Sequence, residues 1–423
     1  MLLILTMTFD AIKNKGLTLL QWIFVCVVLG FFSGSASAIF LLALEKVTQI
    51  RTANFWIIGF LPLGGFAVGL LYHYYGKSVV KGNNLILEEY DTPQQTIPFR
   101  MAPLVLITTL LTHLFGGSAG REGTAVQMGA AISDGMQRWF KWAVIDRKTM
   151  LVLGISAGFA SVFGTPIAGA LFAMEVLSFK KVTFKTVISS FSVAYAAYYT
   201  VELWPVAHTH YSIPIVPEFS LTTIFWTVFA SVLFGLAALL FSRSTHFWGH
   251  LFSRTIAYAP FRPLVGGCIL ALVIFNFSVQ PYIGLGVPVI VDAFSTANPW
   301  YAFLLKILFT GFTLGAGFKG GEVTPLFFVG ATLGSALSLV VPMPIALLAG
   351  MGFVAVFSGA THTPIACSLM GIELFGLESG AYIALACIIA YFCSGAVGIY
   401  KSQIVKGPKA VLYESIRRKL PFL

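Results

Sequence analysis

Apolar residues along this chain come in long runs, broken by glycine, proline and small clusters of charge. Read with those borders, the runs fall near 19–45, 54–75, 101–116, 150–174, 184–205, 221–242, 263–286, 300–316, 323–340, 344–358, 363–376 and 380–400. A closed barrel would need segments of about ten residues in strict apolar and polar alternation. Stretches such as FWTVFASVLFGLAALLF have no such period, so the predicted elements are helices. Several runs are too short for the ~30 Å hydrocarbon layer, which takes about 20 helical residues. Short, glycine-interrupted spans are expected where helices are broken around a cavity, because unpaired backbone is tolerated at membrane depth only there.

Composition turns a helical reading into a membrane one. Of 423 residues, 57% are hydrophobic and 10% charged, and the mean hydropathy is +0.87, beyond the range of soluble domains. The expected class is an all-α polytopic membrane protein whose surroundings are the lipid bilayer. A formal charge of +10 raises the question of an anionic partner, but its placement answers it without nucleic acid. Lys401, Lys406, Lys409, Arg417, Arg418 and Lys419 follow the last run, and Lys180, Lys181 and Lys185 lie between two runs. The positive-inside rule puts both groups on the cytoplasmic side. Lys13 and Lys15 put the amino end there too, so both termini are expected in the cytoplasm after an even number of crossings. The basic stretch from Arg138 to Lys148 is assigned to neither side. The opening MLLILTMTF has no basic flank and no small-residue cleavage site after it, so no cleavable leader is expected. The five cysteines, Cys26, Cys268, Cys367, Cys387 and Cys393, sit in apolar runs without a CxxC pair and are expected to be core filler.

Two stretches repeat. GREGTAVQMGA runs from Gly120 and GGEVTPLFFVGA from Gly320, each with a glutamate in a G-x-E-x-T frame. GFASVFGTPIAGALFAMEVL follows the first and GFVAVFSGATHTPIACSLMGIELF the second. Thr165, Pro166, Ile167, Ala168, Leu171 and Glu175 thus match Thr363, Pro364, Ile365, Ala366, Leu369 and Glu373. Two matched blocks in the same order predict a duplication, with residues 16–205 as one half, 206–220 as a connecting loop and 221–400 as the other. Residues 1–15 and 401–423 are the flanking segments. Whether the second half is inverted is not visible from the sequence.

The glutamates are the candidate chemistry. Glu122 opens an apolar helix, where free N–H groups and the positive end of the dipole favour a carboxylate or a free anion. Glycines on each side let backbone amides approach an ion closely. Glu322, Val323 and Thr324 repeat the arrangement, with Pro325 at a first-turn position that suits it. Two helix amino ends, one from each half, would then converge on one anion. If Glu122 left that place on protonation, a proton and an anion would compete for it. Helix capping is the plainer alternative for both residues. For Glu175 and Glu373, at the far ends of their helices, the structural reading is preferred, and Arg121 is taken as a structural ion partner. His246 and His250 are spaced i, i+4 and His208 lies near His210, but HExxH is missing, so no metal or other cofactor is expected.

GREGT with its helix, GEVTPLF, the two TPIA…E helices and VGIYKSQ together resemble the CLC family of chloride channels and anion/proton exchangers. The likeness covers nearly the whole membrane domain, in order. It implies an inverted repeat of broken, tilted helices and a homodimer with one pore per subunit. The departures from the chloride-type pattern are those of the fluoride/proton antiporter branch. KGNN stands where G-S-G-I-P is usual, GEVTP replaces G-x-F-x-P, and GREGT replaces G-R-E-G-P. The resemblance makes Glu122 the gating, proton-exchanging glutamate. It places Gly82, Asn83 and Tyr400 at the central anion site, with the backbone of Gly123, Glu322 and Val323 facing it, and gives Glu322 and Thr324 importance of their own. The inner proton-transfer glutamate of chloride-type exchangers would follow Glu175, where this chain has Val176.

The expected function is therefore fluoride export in exchange for protons across a microbial cell membrane. The alternatives are a chloride exchanger or passive chloride channel of the same fold, and, from another class, an intramembrane hydrolase built on His246, His250 and a glutamate. Fluoride is small and strongly hydrated, so winning it from water takes firm donors; an asparagine amide offers two where serine offers one.

Overall fold

The computed structural model describes the backbone of residues 2–140, 145–177, 182–403 and 407–419, and side chains within these from residue 20 to residue 415, Phe140 excepted. The described secondary structure is helical. One set comprises α1 (Leu2–Ala53), α2 (Leu61–Tyr74), α3 (Asn83–Asp91), α4 (Met101–Leu114), α5 (Glu122–Phe140), α6 (Arg147–Phe163), α7 (Pro166–Val176) and α8 (Phe184–Glu202). A second set follows the same plan: α9 (Leu221–Thr255), α10 (Phe261–Asn276), α11 (Val287–Asp292), α12 (Ala302–Gly315), α13 (Val323–Leu337), α14 (Ile345–Thr361), α15 (Pro364–Phe375) and α16 (Gly380–Cys393). Helix α17 (Pro408–Lys419) is the last described element.

Three described segments are long and apolar enough to cross a bilayer: Leu20–Ala53, Phe55–Tyr74 and Leu221–Thr255. At ~1.5 Å per residue the first and third are about 50 Å long, well over the ~30 Å they must cross, so they tilt or project. The others are shorter, and among them α7 meets α15 and α5 meets α13 at their ends inside the protein. The run expected over 150–174 is broken at Gly164, whose φ of 72° ends α6, and Pro166 then starts α7. The run expected over 263–286 stops being α-helical at Asn276, and that over 380–400 at Cys393, which leaves Tyr400 on irregular backbone.

Two carboxylates establish how the halves are related. Glu175, near the end of α7, accepts from the amides of Ile365 and Ala366 at 3.0 and 2.7 Å. Glu373, near the end of α15, accepts from Ile167 and Ala168 at 2.9 and 2.7 Å. Each helix thus caps the free amino end of the other, where the dipole favours negative charge. Two helices can do this reciprocally only when antiparallel, so one half is upside down relative to the other. The same symmetry recurs where Ser118 N–H donates to Thr313 Oγ1 at 3.2 Å and Lys319 N–H to Thr112 Oγ1 at 3.3 Å.

Helix crossings repeat as well. A Cβ on Gly129 would collide with the Gly154 carbonyl where α5 crosses α6, and one on Gly330 with the Gly352 carbonyl where α13 crosses α14. Behind these crossings Phe159 stacks on Phe172 at 4.3 Å and Phe327 on Phe353 at 3.9 Å, a rigid apolar wall for the site. In the unassigned basic stretch, of which residues 141–144 lie outside the described residues, Arg147 clamps Asp134 at 2.7 Å and Glu89 at 3.1 Å. Cys26, Cys367 and Cys387 are buried, but Cys268 is exposed and is not core filler, because its side of α10 faces outward.

Candidate anion pathway

Helices α5 and α13 begin back to back. Gly120 N–H donates to the Gly321 carbonyl at 2.6 Å and Gly321 N–H to that of Gly120 at 2.8 Å, a two-residue antiparallel bridge that joins the amino ends of the two halves. Glu122, 1% exposed, opens α5, yet its carboxylate lies at the start of α13. It accepts from Thr324 N–H at 3.0 Å, from the Thr324 hydroxyl at 2.6 and 2.7 Å, and from Arg121 N–H at 3.1 Å. The Arg121 guanidinium stands 3.5 Å away. A buried carboxylate with these donors sits where a small anion would find the same amide, hydroxyl and helix dipole.

Open space lies on either side. A cavity of 160 Å³ is lined by Gly82, Asn83, Gln127, Lys319, Gly320, Glu322 and Tyr400, among others. An apolar cleft of 20 Å³ continues from Asn83 and Tyr400 to Phe172 and Val176. A separate cavity of 300 Å³ is lined by Thr48, Gln49, Thr52, Arg121 and Thr209. Arg121 opens onto one large cavity and Glu322 onto the other; Glu122 lines neither.

The bridge corrects the register of the sequence comparison. Gly120 pairs with Gly321, and α5 and α13 start at Glu122 and Val323, so the structural partner of Glu122 is Val323 and that of Arg121 is Glu322. The G-x-E-x-T frames are one residue out of step, and the two glutamates are not counterparts. Because the repeat is inverted, equivalent positions face opposite ways, which is why Arg121 and Glu322 address different cavities.

The predicted site residues gather with one reservation. Asn83 opens α3 after Gly82, whose φ is 56°, a conformation that glycine adopts freely. The Asn83 Oδ1 atom is buried without a hydrogen bond from the protein. Gly123 makes room for the Asn83 amide: a Cβ there would come within 3.1 Å of Asn83 Nδ2 and of Gly321 Cα. Tyr400, buried, lines both the large cavity and the cleft. Val323 is 2% exposed and its side chain belongs to the core; the amide donated to Glu122 is that of Thr324.

Three lining residues escaped the sequence reading. Gln127 is a polar residue one turn past Gly123 within the apolar stretch from Ala125 to Ile132, which was a usable signal. Lys319 is the cation just before the second motif and holds its ammonium 4.1 Å from the Tyr72 ring. Asn84 accepts from Ser402 N–H at 2.9 Å, tying α3 to the Tyr400 segment, and nothing in the sequence announced that pairing.

An inverted helical repeat that brings helix amino ends and a buried carboxylate between two cavities defines a class of ion-transporting membrane protein. The comparisons make the class specific. A family model described as voltage gated chloride channel matches residues 64–395, and the chain belongs to that family. It is 47% identical over 391 residues to a chloride/fluoride channel protein of Pseudomonas syringae pv. tomato, covering 91% of this chain and 86% of that one. An H(+)/Cl(-) exchange transporter, ClcA of Vibrio cholerae, is 25% identical over 85% of this chain and 83% of its own. Among solved structures, a CLC-type fluoride/proton antiporter superposes with a TM-score of 0.88 at 32% identity, over 92% of this chain and 98% of that one. A slow cyanobacterial Cl-/H+ antiporter at 19% identity has a TM-score of 0.77 over 95% of this chain and 99% of its own, a likeness of fold.

Proposed function

We propose that this protein is a fluoride/proton antiporter that exports cytoplasmic fluoride in exchange for protons, with Glu122 alternating between proton carrier and occupant of the anion's place. The observation that carries this reading is the Glu122 carboxylate on the amide and hydroxyl of Thr324. Ionised, the carboxylate takes those donors and blocks an anion. Protonated, it loses the charge that holds it to the helix end, and a fluoride arriving from the cavity beside Asn83 and Tyr400 takes the vacated donors. Carboxylate and fluoride thus exclude each other from the same donors, and protonation decides which of them holds the place, which couples the movements of the two ions. Glu322 lines the cavity, and Val176 stands where an inner glutamate would be, so Glu322 is the carboxylate assigned to the cytoplasmic half of the proton route. As part of the same proposal, the protein works in the cell membrane as a homodimer with both termini cytoplasmic. The likeness to a fluoride/proton antiporter at 32% identity supports the substrate.

The test is fluoride efflux from liposomes carrying the purified protein, beside a chloride-loaded control, with internal pH followed at the same time. Fluoride release that drives protons inward against a gradient, with little chloride movement, is the expected result. Movement of both anions without protons would replace the proposal with a chloride-conducting channel of the same fold.

A further inference from the structure

The basic carboxyl-terminal segment hides one of its charges. Lys409, on α17, has 0% exposure. Its ammonium is 2.8 Å from His362 Nδ1 and 2.8 Å from Ser394 Oγ, and 4.5 Å from the centre of the Tyr391 ring. Among the described residues it forms no ion pair with a carboxylate. An ammonium only donates, so Nδ1 of His362 accepts and its proton sits on Nε2. A buried lysine held by neutral partners is costly to keep unless the contact does something.

His362 is unusual as well. It ends α14 at φ 57°, and it has the only positive φ among the described non-glycine residues. The equivalent end of α6 uses Gly164, at φ 72°. The second half therefore tolerates a strained conformation that the first avoids, and strain of this kind is kept where the side chain has a task. That side chain lies against the segment bearing Tyr400: Gly398 is so close that a Cβ would stand 3.1 Å from His362 Nε2. The same segment is fastened to the end of α14 by Ser394 Oγ to the Gly359 carbonyl at 2.7 Å, Ile399 N–H to Ala360 at 2.9 Å and Gln403 Nε2 to Thr361 at 2.7 Å.

We propose that Lys409 and His362 form a latch by which α17 holds residues 394–403 against α14 and so sets the position of Tyr400 in the cavity. Both are positioning residues, and the inference rests on Tyr400 lining the anion site. Lys409 joins the two ends of the contact, His362 on α14 and Ser394 at the start of the segment. Without it the Tyr400 segment keeps its backbone bonds and the bond from Gly395 N–H to Tyr413 Oη at 3.0 Å, but loses its charged link to α17 and the tie from α17 to the end of α14.

The test uses the full-length chain in liposomes with three variants. Lys409→Met removes the charge, Lys409→Arg keeps it, and His362→Gly installs the residue the first half already uses at that place. Hydrogen exchange should rise about tenfold in residues 394–403 in Lys409→Met and in His362→Gly, with α5 and α13 unchanged, and Lys409→Arg should largely restore protection. The half-saturating fluoride concentration should rise about fivefold to tenfold, the size expected for losing one charged hydrogen bond, with maximal flux near the unmodified rate. Unchanged exchange in residues 394–403 in either folded variant overturns the latch, as does a general rise in exchange throughout the protein. If the unmodified protein moves no fluoride yet the exchange result holds, the transport proposal fails and the latch stands. If Lys409→Met does not fold, His362→Gly decides.

Discussion

The first half of the protein supplies Glu122 where the second supplies Val323, and Arg121 where the second supplies Glu322. The contacts around these positions are repeated: reciprocal caps on α7 and α15, paired amide-to-threonine bonds, glycine crossings on both sides. Symmetry thus builds the meeting point, and departures from symmetry give it chemistry. A symmetric pair of buried glutamates facing one another would repel, whereas one glutamate against a neutral partner is held by the opposite helix end. The departure at the end of α14, histidine in place of glycine, belongs to the same pattern.

That contrast can be broken at several points. Gly129→Ala and Gly330→Ala should each overpack a helix crossing and cost about 3 kcal/mol, the upper end of such insertions. Denaturation midpoints in detergent would read this, and a large effect in one alone would show that the crossings are not equivalent. Glu175→Ala and Glu373→Ala should each cost about 2 kcal/mol, because a carboxylate with two backbone donors is lost and the amides of the buried Ala366 and Ala168 are left without an acceptor. Proton coupling should survive both changes, and loss of coupling in either would move that carboxylate from cap to carrier. Thr324→Val removes the hydroxyl from both Glu122 oxygens and should slow exchange about tenfold, read as fluoride-driven proton uptake. Asn83→Ser should lower the fluoride-to-chloride flux ratio only about threefold, since one donor of two remains; an unchanged ratio would remove Asn83 from the selectivity account.

Much of this arrangement was legible in the chain because helix starts carry local chemistry. Gly, Glu and Pro at the two motifs marked both amino ends, and TPIA with its distant glutamate marked α7 and α15. The inversion was legible only through the family resemblance, since it is a relation between the halves that no local pattern carries and that the reciprocal caps express. The register slipped by one because a short G-x-E-x-T coincidence outweighed the helix starts, which backbone pairing settles. Lys409 read as one more surface cation in a basic tail. Its burial depends on His362, Ser394 and Tyr391, which come from separate segments that no local pattern joins. The breaks at Gly164 and Cys393 were smoothed over for a related reason: apolar content continues where the helix does not.

The central claim is that one carboxylate serves both ions, and Glu122→Gln tests it most directly. In liposomes loaded with fluoride, with internal pH recorded, the account predicts continued fluoride efflux with proton uptake reduced at least about a hundredfold, as glutamine keeps the shape and cannot carry the proton. Proton uptake that persists in step with fluoride release would contradict it and place the exchange at another residue.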